Sequence, residues 1–540
     1  MRVTNKIIQN NSVSNININK TYQDKLNNQM STEKKIVRPS DDPVVAIRAL
    51  RLRTNVSQVT QYYEKNVPDA ESWMDVTETA LSTVSSVLTD MIEQCTKGSS
   101  EKLTTTDRQT ILDALTALRD EVYSTGNADY AGRSVFTGYR TETTLMYTEA
   151  ANQKYSITEQ TNNDAMDTVK YVKGIDKLNS LNEGNYNSAA NKDAKEQEIQ
   201  EASVHRIRLA YENLDGDVAP TISLYDTTAP AGFKTAYTAT VYSENANPTA
   251  YDKVIEDNAA SPKVESVYLI KETGELLISD AVYDKLMALS DDVTTPTLDE
   301  SQIQITYEKS VWKKGDLRPE HYFACKDLSA VDSSWTDPDK IEKATIKYNQ
   351  DYLKGIVEKQ SIEYDVGINQ SIRVNTTADE VFTHAIGRDV DDIIAALSEV
   401  NDMEATIERL TKIKEGLDET ATDYKDNLES ITNQIDAANK ALTYLKEKMQ
   451  GLFESNITNM QNHLNKANEA TTACGTRQKK LELINNRLMS QKTNFETLES
   501  ENENVDLTEI AIKLSSAELT YQAALMSTSK ILQTSLMNYI

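Results

Sequence analysis

Cysteine is almost missing from this sequence. Its 540 residues hold three, Cys95, Cys325 and Cys474, far apart and none in a C-x-x-C pair. That spacing excludes a disulfide framework and a cysteine zinc site. Histidine is nearly as scarce: His205, His321, His384 and His463 are scattered, with no H-E-x-x-H arrangement and no carboxylate cluster at ligand spacing. Each reads as a surface or packing residue. Aromatics make up only 6% and hydrophobic residues 39%, which suits long, thin elements better than a thick globular core. Cations are outnumbered: 57 Lys plus Arg against 84 Asp plus Glu leave a net charge of -27, a surface that repels a polyanionic duplex. Nucleic-acid binding is therefore not expected. No run approaches the ~20 apolar residues of a membrane span, so no membrane insertion is expected either. The start, MRVTNKIIQNNSVSNININK, lacks the apolar region and small-residue cleavage site of a secretory signal. Export by a route that reads a polar N-terminus stays open; the sparse cysteine is explained by chance alone, or by a chain that must cross a channel unfolded, and chance is the simpler reading.

Catalytic motifs are missing as well. Gly126, Gly132 and Gly138 fit neither the dinucleotide fingerprint nor the Walker spacing, and a helical pattern precedes them where a strand should stand. Asp41 and Asp42 could pair as acid and base, but their place before Pro43 favours helix capping. No G-x-S-x-G elbow has a supporting context. The chain reads as a structural protein, not an enzyme, with no cofactor and no metal.

What the sequence does have is helical periodicity at both ends. Ile18, Tyr22, Leu26 and Met30 stand four apart, one face of a helix. Asn10, Asn11, Asn15, Asn17 and Asn19 are poor helix formers, so this segment needs a partner helix. Next comes KKIVRPSDDPVVAIRAL. Ser40 reads as the N-cap, Asp41 and Asp42 suit the positive end of the dipole, and Pro43 fits the first turn. Apolar residues then recur by threes and fours from Val45 to Met91. Pro68 falls inside the run and predicts a bend or break. Lys97-Gly98 predicts its end, Thr106 to Gln109 a capping box, and Gly126-Asn127 the end of the next helix.

After AGRSVFTGYR the chain turns rich in Thr, Tyr and Val, with short strand-like runs such as Ser266 to Ile270 and Ile303 to Tyr307. A helical interruption is expected near Ala194 to Asn213. Helix returns after a capping-box match at Thr377 to Glu380, with Gly416 and Gly451 marking turns. The last segment carries two stripes. Ile510, Leu514, Ala517, Tyr521, Ala524 and Ile531 form one seam. Ile512, Leu519 and Met526 form a second, with Leu525, Leu532, Leu536 and Ile540 nearby and Leu507 at the start. A helix apolar on two sides is buried on two sides. Ile18, Tyr22, Leu26, Leu507, Ile510, Leu514, Leu519, Tyr521, Leu525, Met526, Ile531, Leu532, Leu536 and Ile540 are thus the candidate assembly interface.

The predicted fold is mainly α with an inserted β-rich domain, around a long antiparallel helical-bundle or coiled-coil core formed by both chain ends. The expected domains are 1–42 plus 500–540, a terminal assembly domain; 43–140 plus 371–499, a helical rod domain; and 141–370, the inserted outer domain.

The two ends resemble a known family. MRVTN, the stretch from Leu26 through KKIVRPSDDPVVAIRALRLR, Gln61 to Asn66, Ser72-Trp73 and Phe136-Thr137-Gly138 resemble bacterial flagellar axial proteins. So do Val505 to Glu509, Tyr521 to Leu525 and the closing Ser535 to Ile540. The likeness is closest to the hook-associated protein 3 family, the hook–filament junction proteins. Flagellin-type sequences tend to place small residues after the paired aspartates, whereas Pro43 follows them here. The resemblance covers about a third of the chain and leaves the middle unmatched. It implies an adapter at the hook–filament junction, assembled as a ring of copies. Its implied partners are another hook-associated protein on the hook side, flagellin on the filament side and a flagellar export chaperone. It implies an extracellular place on the flagellum, reached by flagellar type III export without a cleaved signal peptide. The alternatives are a flagellin-like filament subunit, an enzyme or adhesin in the insert, and an intracellular coiled-coil scaffold.

Overall fold

The computed structural model describes residues 5–100, 103–192, 195–225, 232–289, 303–332, 334–354 and 360–537. The chain is mainly α, with long helices towards both ends and a β-rich region between them. It divides into two compact units: Met1–Glu71 with Glu363–Ile372 and Arg477–Ile540, and Ser72–Ile362 with Arg373–Thr476.

The first unit opens with α1 (Asn5–Thr32) and α2 (Pro43–Gln61). Asp42 caps α2, its side chain accepting from the Val44 and Val45 amides. Ser40 is not the cap. The residue before a proline is pushed into extended backbone, which is N-cap geometry, and Asp42 holds φ -155° and ψ 102°. Asp41 faces backwards and accepts from the Val37 and Arg38 amides at 3.2 and 2.9 Å. Pro68 does not break the helix. A π-helical turn, Tyr62–Asn66, joins α2 to α3 (Val67–Gly98), and the Val67 amide reaches the Tyr62 carbonyl. The wider turn stands where the proline would meet a regular ladder. The hairpin of β14 (Glu363–Gly367) and β15 (Gln370–Arg373) docks here, through Asn66 Nδ2 to Asp365 O at 2.8 Å and Tyr364 OH to Asp69 at 2.8 Å.

In the second unit α4 (Thr105–Thr125) packs with α9 (His384–Glu415), and α3 lies against the first part of α10 (Tyr424–Glu503), where Gly98 faces the Phe453 ring. Trp73, Met74, Leu81, Leu88, Leu115, Val390, Val400, Phe453 and Cys474 are fully buried. Cys474 donates to the Met74 carbonyl at 3.6 Å. The capping box of α4 is Thr104 with Asp107, two residues earlier than the Thr106 match, because Thr104 holds the extended backbone a cap needs. Thr377 precedes only a single turn, Ala378–Glu380, and the long helix starts at His384. Gly416 closes α9, but Gly451 lies inside α10, where a Cβ would meet nothing within 4 Å.

The insert follows the hairpin of β1 (Asp129–Tyr130) and β2 (Arg133–Ser134). Its six-stranded sheet runs β13 (Ile346–Tyr348), β12 (Ala324–Asp327), β3 (Ala151–Thr161), β11 (Ile303–Trp312), β6 (Thr221–Tyr225), β7 (Phe233–Thr238). Its five-stranded sheet runs β4 (Met166–Lys173), β5 (Gln200–Arg208), β10 (Glu275–Ile278), β9 (Val267–Ile270), β8 (Thr240–Tyr242), with only β8 and β9 parallel. The expected helix near Ala194 to Asn213 is instead β5. Its Val204, Arg206 and Ile207 are buried against β4 and β10, and that pairing overrides local helix preference. The insert's helices are α5 (Ile175–Asn179), α6 (Ala250–Ala259), α7 (Asp280–Met287) and α8 (Pro338–Ala344). Tyr139 N donates to Gln360 Oε1 at 2.7 Å, so the chain leaves the insert beside the point where it came in.

Candidate assembly face

α11 (Leu507–Met537) pairs with α1. The seam is short. Leu26, Ile510 and Ala517 are buried in it, with Val505 and Leu514 packed against them. Tyr521 and Ala524 continue the seam, half-buried. Neither helix has glycine or proline inside it, so the backbone allows the whole length, but few side chains hold the pair together.

The second stripe of α11 faces away from this seam. Ile512, Leu519 and Met526 are 67%, 70% and 69% exposed, and Leu507 and Leu525 are exposed beside them. On α1, Ile7, Val13, Ile18, Tyr22 and Met30 are also exposed. A groove of about 730 Å³ runs along α1, lined by Val13, Ile18 and Tyr22 among polar neighbours. Of the stripe Ile18, Tyr22, Leu26 and Met30, therefore, only Leu26 is buried within the chain. Ile531, Leu532 and Leu536 fall beyond the last described side chain of α11, and Ile540 lies outside the described residues.

The two hinges of this unit are tied together. Glu33 takes a left-handed φ of 57° and turns the chain out of α1. Lys35 N then donates to Glu503 O at 2.7 Å, and Val505 N to Glu33 O at 3.1 Å. Lys34 and Asn504 form an antiparallel bridge. The Glu503 side chain, 3% exposed, accepts from Arg53 Nε at 2.6 Å and lies 3.3 Å from Lys34 Nζ. The Arg53 hydrogen bond leads in holding the Glu503 carboxyl below its usual range. Farther along, Lys492 pairs with Glu64 and Arg487 bonds Gln370. Sequence reasoning missed Glu503, because its partners lie hundreds of positions away and no local motif marks them.

In the second unit the charged side chains cluster where the insert meets α9. Arg206 reaches Asp167 at 2.9 Å, Asp392 at 2.5 Å and also Glu275. Arg208 reaches Asp389 at 2.7 Å and Asp392 at 3.0 Å, and His463 Nε2 stands 3.7 Å from Asp389. These ion pairs, buried except at Asp167, fix a joint. The remaining histidines pack: His205 stacks on Tyr283, and burial pushes His321 down to about 4 and His384 to about 3. The cysteines are free and buried, and burial pushes the Cys95 thiol up to about 12. Among the described residues no group of His, Cys, Asp and Glu could hold a metal ion, and no helix is long and apolar enough to cross a membrane.

Residues 3–141 match the family model of the bacterial flagellin N-terminal helical region. Flagellar hook-associated protein 3 of Salmonella typhimurium is 30% identical over 143 residues, covering 26% of this chain and 45% of the relative. The Escherichia coli protein of the same name is 34% identical over 120 residues, covering 22% of this chain and 38% of the relative. A flagellin of Clostridium tyrobutyricum is 28% identical over 122 residues, covering 23% and 32%. The matches thus span less than half of each curated relative. Among solved structures, Xanthomonas campestris FlgL overlaps at a TM-score of 0.26 and 12% identity, covering 82% of this chain and 98% of that one. The flagellar junction protein FlgL of Legionella pneumophila overlaps at 0.25 and 10% identity, covering 81% and 99%. The chain resembles flagellar hook-associated protein 3.

Proposed function

We propose, from the premise of this flagellin-type N-terminal region, that the chain is a structural subunit of the bacterial flagellum and an adapter at the hook–filament junction. The observation that carries the reading is the second stripe of α11. Ile512, Leu519 and Met526 are exposed in the single chain, and no described segment covers them. Fully burying side chains of this size stabilises by ~1.5–3 kcal/mol each, so repeated contact with neighbouring copies supplies a strong drive to assemble. The seam with α1 keeps the two terminal helices together as one assembly module. A rotation that closes makes a ring, with other axial proteins continuing it on each side: a hook-associated protein towards the hook and flagellin towards the filament. The scarcity of cysteine suits export unfolded through the flagellar type III channel, with a chaperone covering the same apolar stripe beforehand. The expected domains 1–42 plus 500–540, 43–140 plus 371–499 and 141–370 fit this division of labour, with the insert outermost.

A filament subunit is the second reading, favoured by the partial match to a flagellin. The Ser-Asp-Asp-Pro order around Pro43 favours the junction protein instead.

Leu519→Asp with Met526→Asp tests the assembly reading. Both side chains are wet in the free chain, so helical content and melting should hold. Burial of an unpaired carboxylate costs several kcal/mol, so assembly should stop and filament subunits should leak into the medium. Secretion of the variant must be measured alongside. A secreted variant that still supports filaments of normal length would contradict the reading.

A further inference from the structure

The outward face of α2 is apolar and basic at once. Val44, Ile47 and Leu50 are exposed there, with Arg48 and Arg51 exposed among them, while Ala46, Ala49 and Val59 are buried on the other side. From Lys34 to Arg53 the chain holds six cations and two carboxylates, in a protein of net charge -27. The junction of α10 and α11 is the reverse. From Glu496 to Glu509 there are six carboxylates and no cation. Leu498 and Leu507 are exposed among them, as are Glu496, Glu501 and Glu509.

The two segments already meet inside the chain, through Arg53 with Glu503 and with Glu499 at 3.7 Å, Lys34 with Glu503 and Asn504, and Lys35 with the Glu503 carbonyl. That contact leaves Arg48, Arg51 and Glu501 without an ion pair among the described residues. Each patch therefore presents the charge that the other lacks, and both carry exposed apolar side chains that can meet.

We propose that a second copy of this chain covers the α2 face with its own Glu496–Glu509 stretch. The contact joins unlike patches, so it is heterologous and repeats from copy to copy. Val44, Ile47 and Leu50 supply the apolar centre against Leu498 and Leu507. The charges around them set the register and speed the encounter, and salt screens them. The inference rests on the assembly reading above and touches the second stripe of α11 only at its first residue, Leu507, leaving Ile512, Leu519 and Met526 outside the contact.

Sedimentation velocity on the purified full chain, across concentration and at about 20 mM and about 500 mM salt, provides the test. Self-association should weaken at the higher salt. Arg48→Glu with Arg51→Glu should weaken it at least tenfold, and Glu496→Lys with Glu501→Lys likewise. An equimolar mixture of the two variants should restore it, since each then meets a complementary partner; this recovery also shows that neither variant is misfolded. A native chain that stays monomeric at low salt would overturn the proposal and leave the face to a different, acidic partner. Association insensitive to both reversals, or reversals without recovery on mixing, would overturn it too. The Leu519→Asp, Met526→Asp chain separates the two ideas. If it associates normally while charge reversal and recovery hold, the α2 contact stands and the α11 reading fails. If it fails to associate while charge reversal has no effect, the outcome is the opposite.

Discussion

Glu503 is where both hinges of the first unit converge. Its carbonyl takes the Lys35 amide and its carboxylate takes Arg53 and Lys34. Because the carboxyl titrates below its usual range, led by the Arg53 hydrogen bond, its contribution is present above the unfolded-state value and disappears as pH falls through the folded one. Glu503→Gln should destabilise by about 1–2 kcal/mol near neutral pH, a charged hydrogen bond discounted because Arg53 is half in water. Urea unfolding of the two proteins side by side should show this gap closing below the carboxylate range. A gap independent of pH would contradict the assignment. Single residues were only partly legible in the sequence. The aspartate pair before Pro43 announced a cap, and the restriction proline places on its predecessor selects Asp42 over Ser40. Nothing local announced Arg206, whose partner Asp392 lies far along the chain and in no motif.

At the scale of elements, the two stripes of α11 were readable because a heptad repeat survives in the residues themselves. The π-helical turn before Pro68 was not, since a proline signals a disrupted ladder without saying how the backbone absorbs it. Strand β5 was hidden by residues that also suit a helix, and only its partners β4 and β10 decide between them. Gly451 is silent inside α10, where neighbouring turns carry the helix through. Among the described residues the pair of α1 and α11 buries little: Leu26, Ile510 and Ala517 form its buried cluster. Such a pair opens more easily than a packed core. Hydrogen exchange on the single chain should therefore be fast across α1 and α11 and slow across α9 and the first part of α10. Equal protection in both regions would mean that the terminal helices need no neighbours.

For the whole molecule, the question is which parts assembly needs. The sequence made the insert recognisable by composition, but its joint with α9 is ionic and could not be foreseen. Replacing Thr141 through the residue before Gln360 by a short linker keeps the hydrogen-bonded points where the chain leaves and rejoins the helices. The loss of Arg206 and Arg208 strands Asp389 and Asp392, and breaking a buried pair from one side costs ~3–5 kcal/mol. The shortened chain should thus melt early, and Asp389→Asn with Asp392→Asn should recover much of the loss while assembly persists. Loss of assembly in a stable shortened chain would make the insert part of the joint. The central claim is position: an adapter belongs at one boundary and nowhere else. Immunogold labelling of isolated hook–filament complexes, with antibody raised to the insert, measures this directly. A single narrow band where hook meets filament is the expected result; label along the whole filament, or none on the complex, would contradict the adapter role.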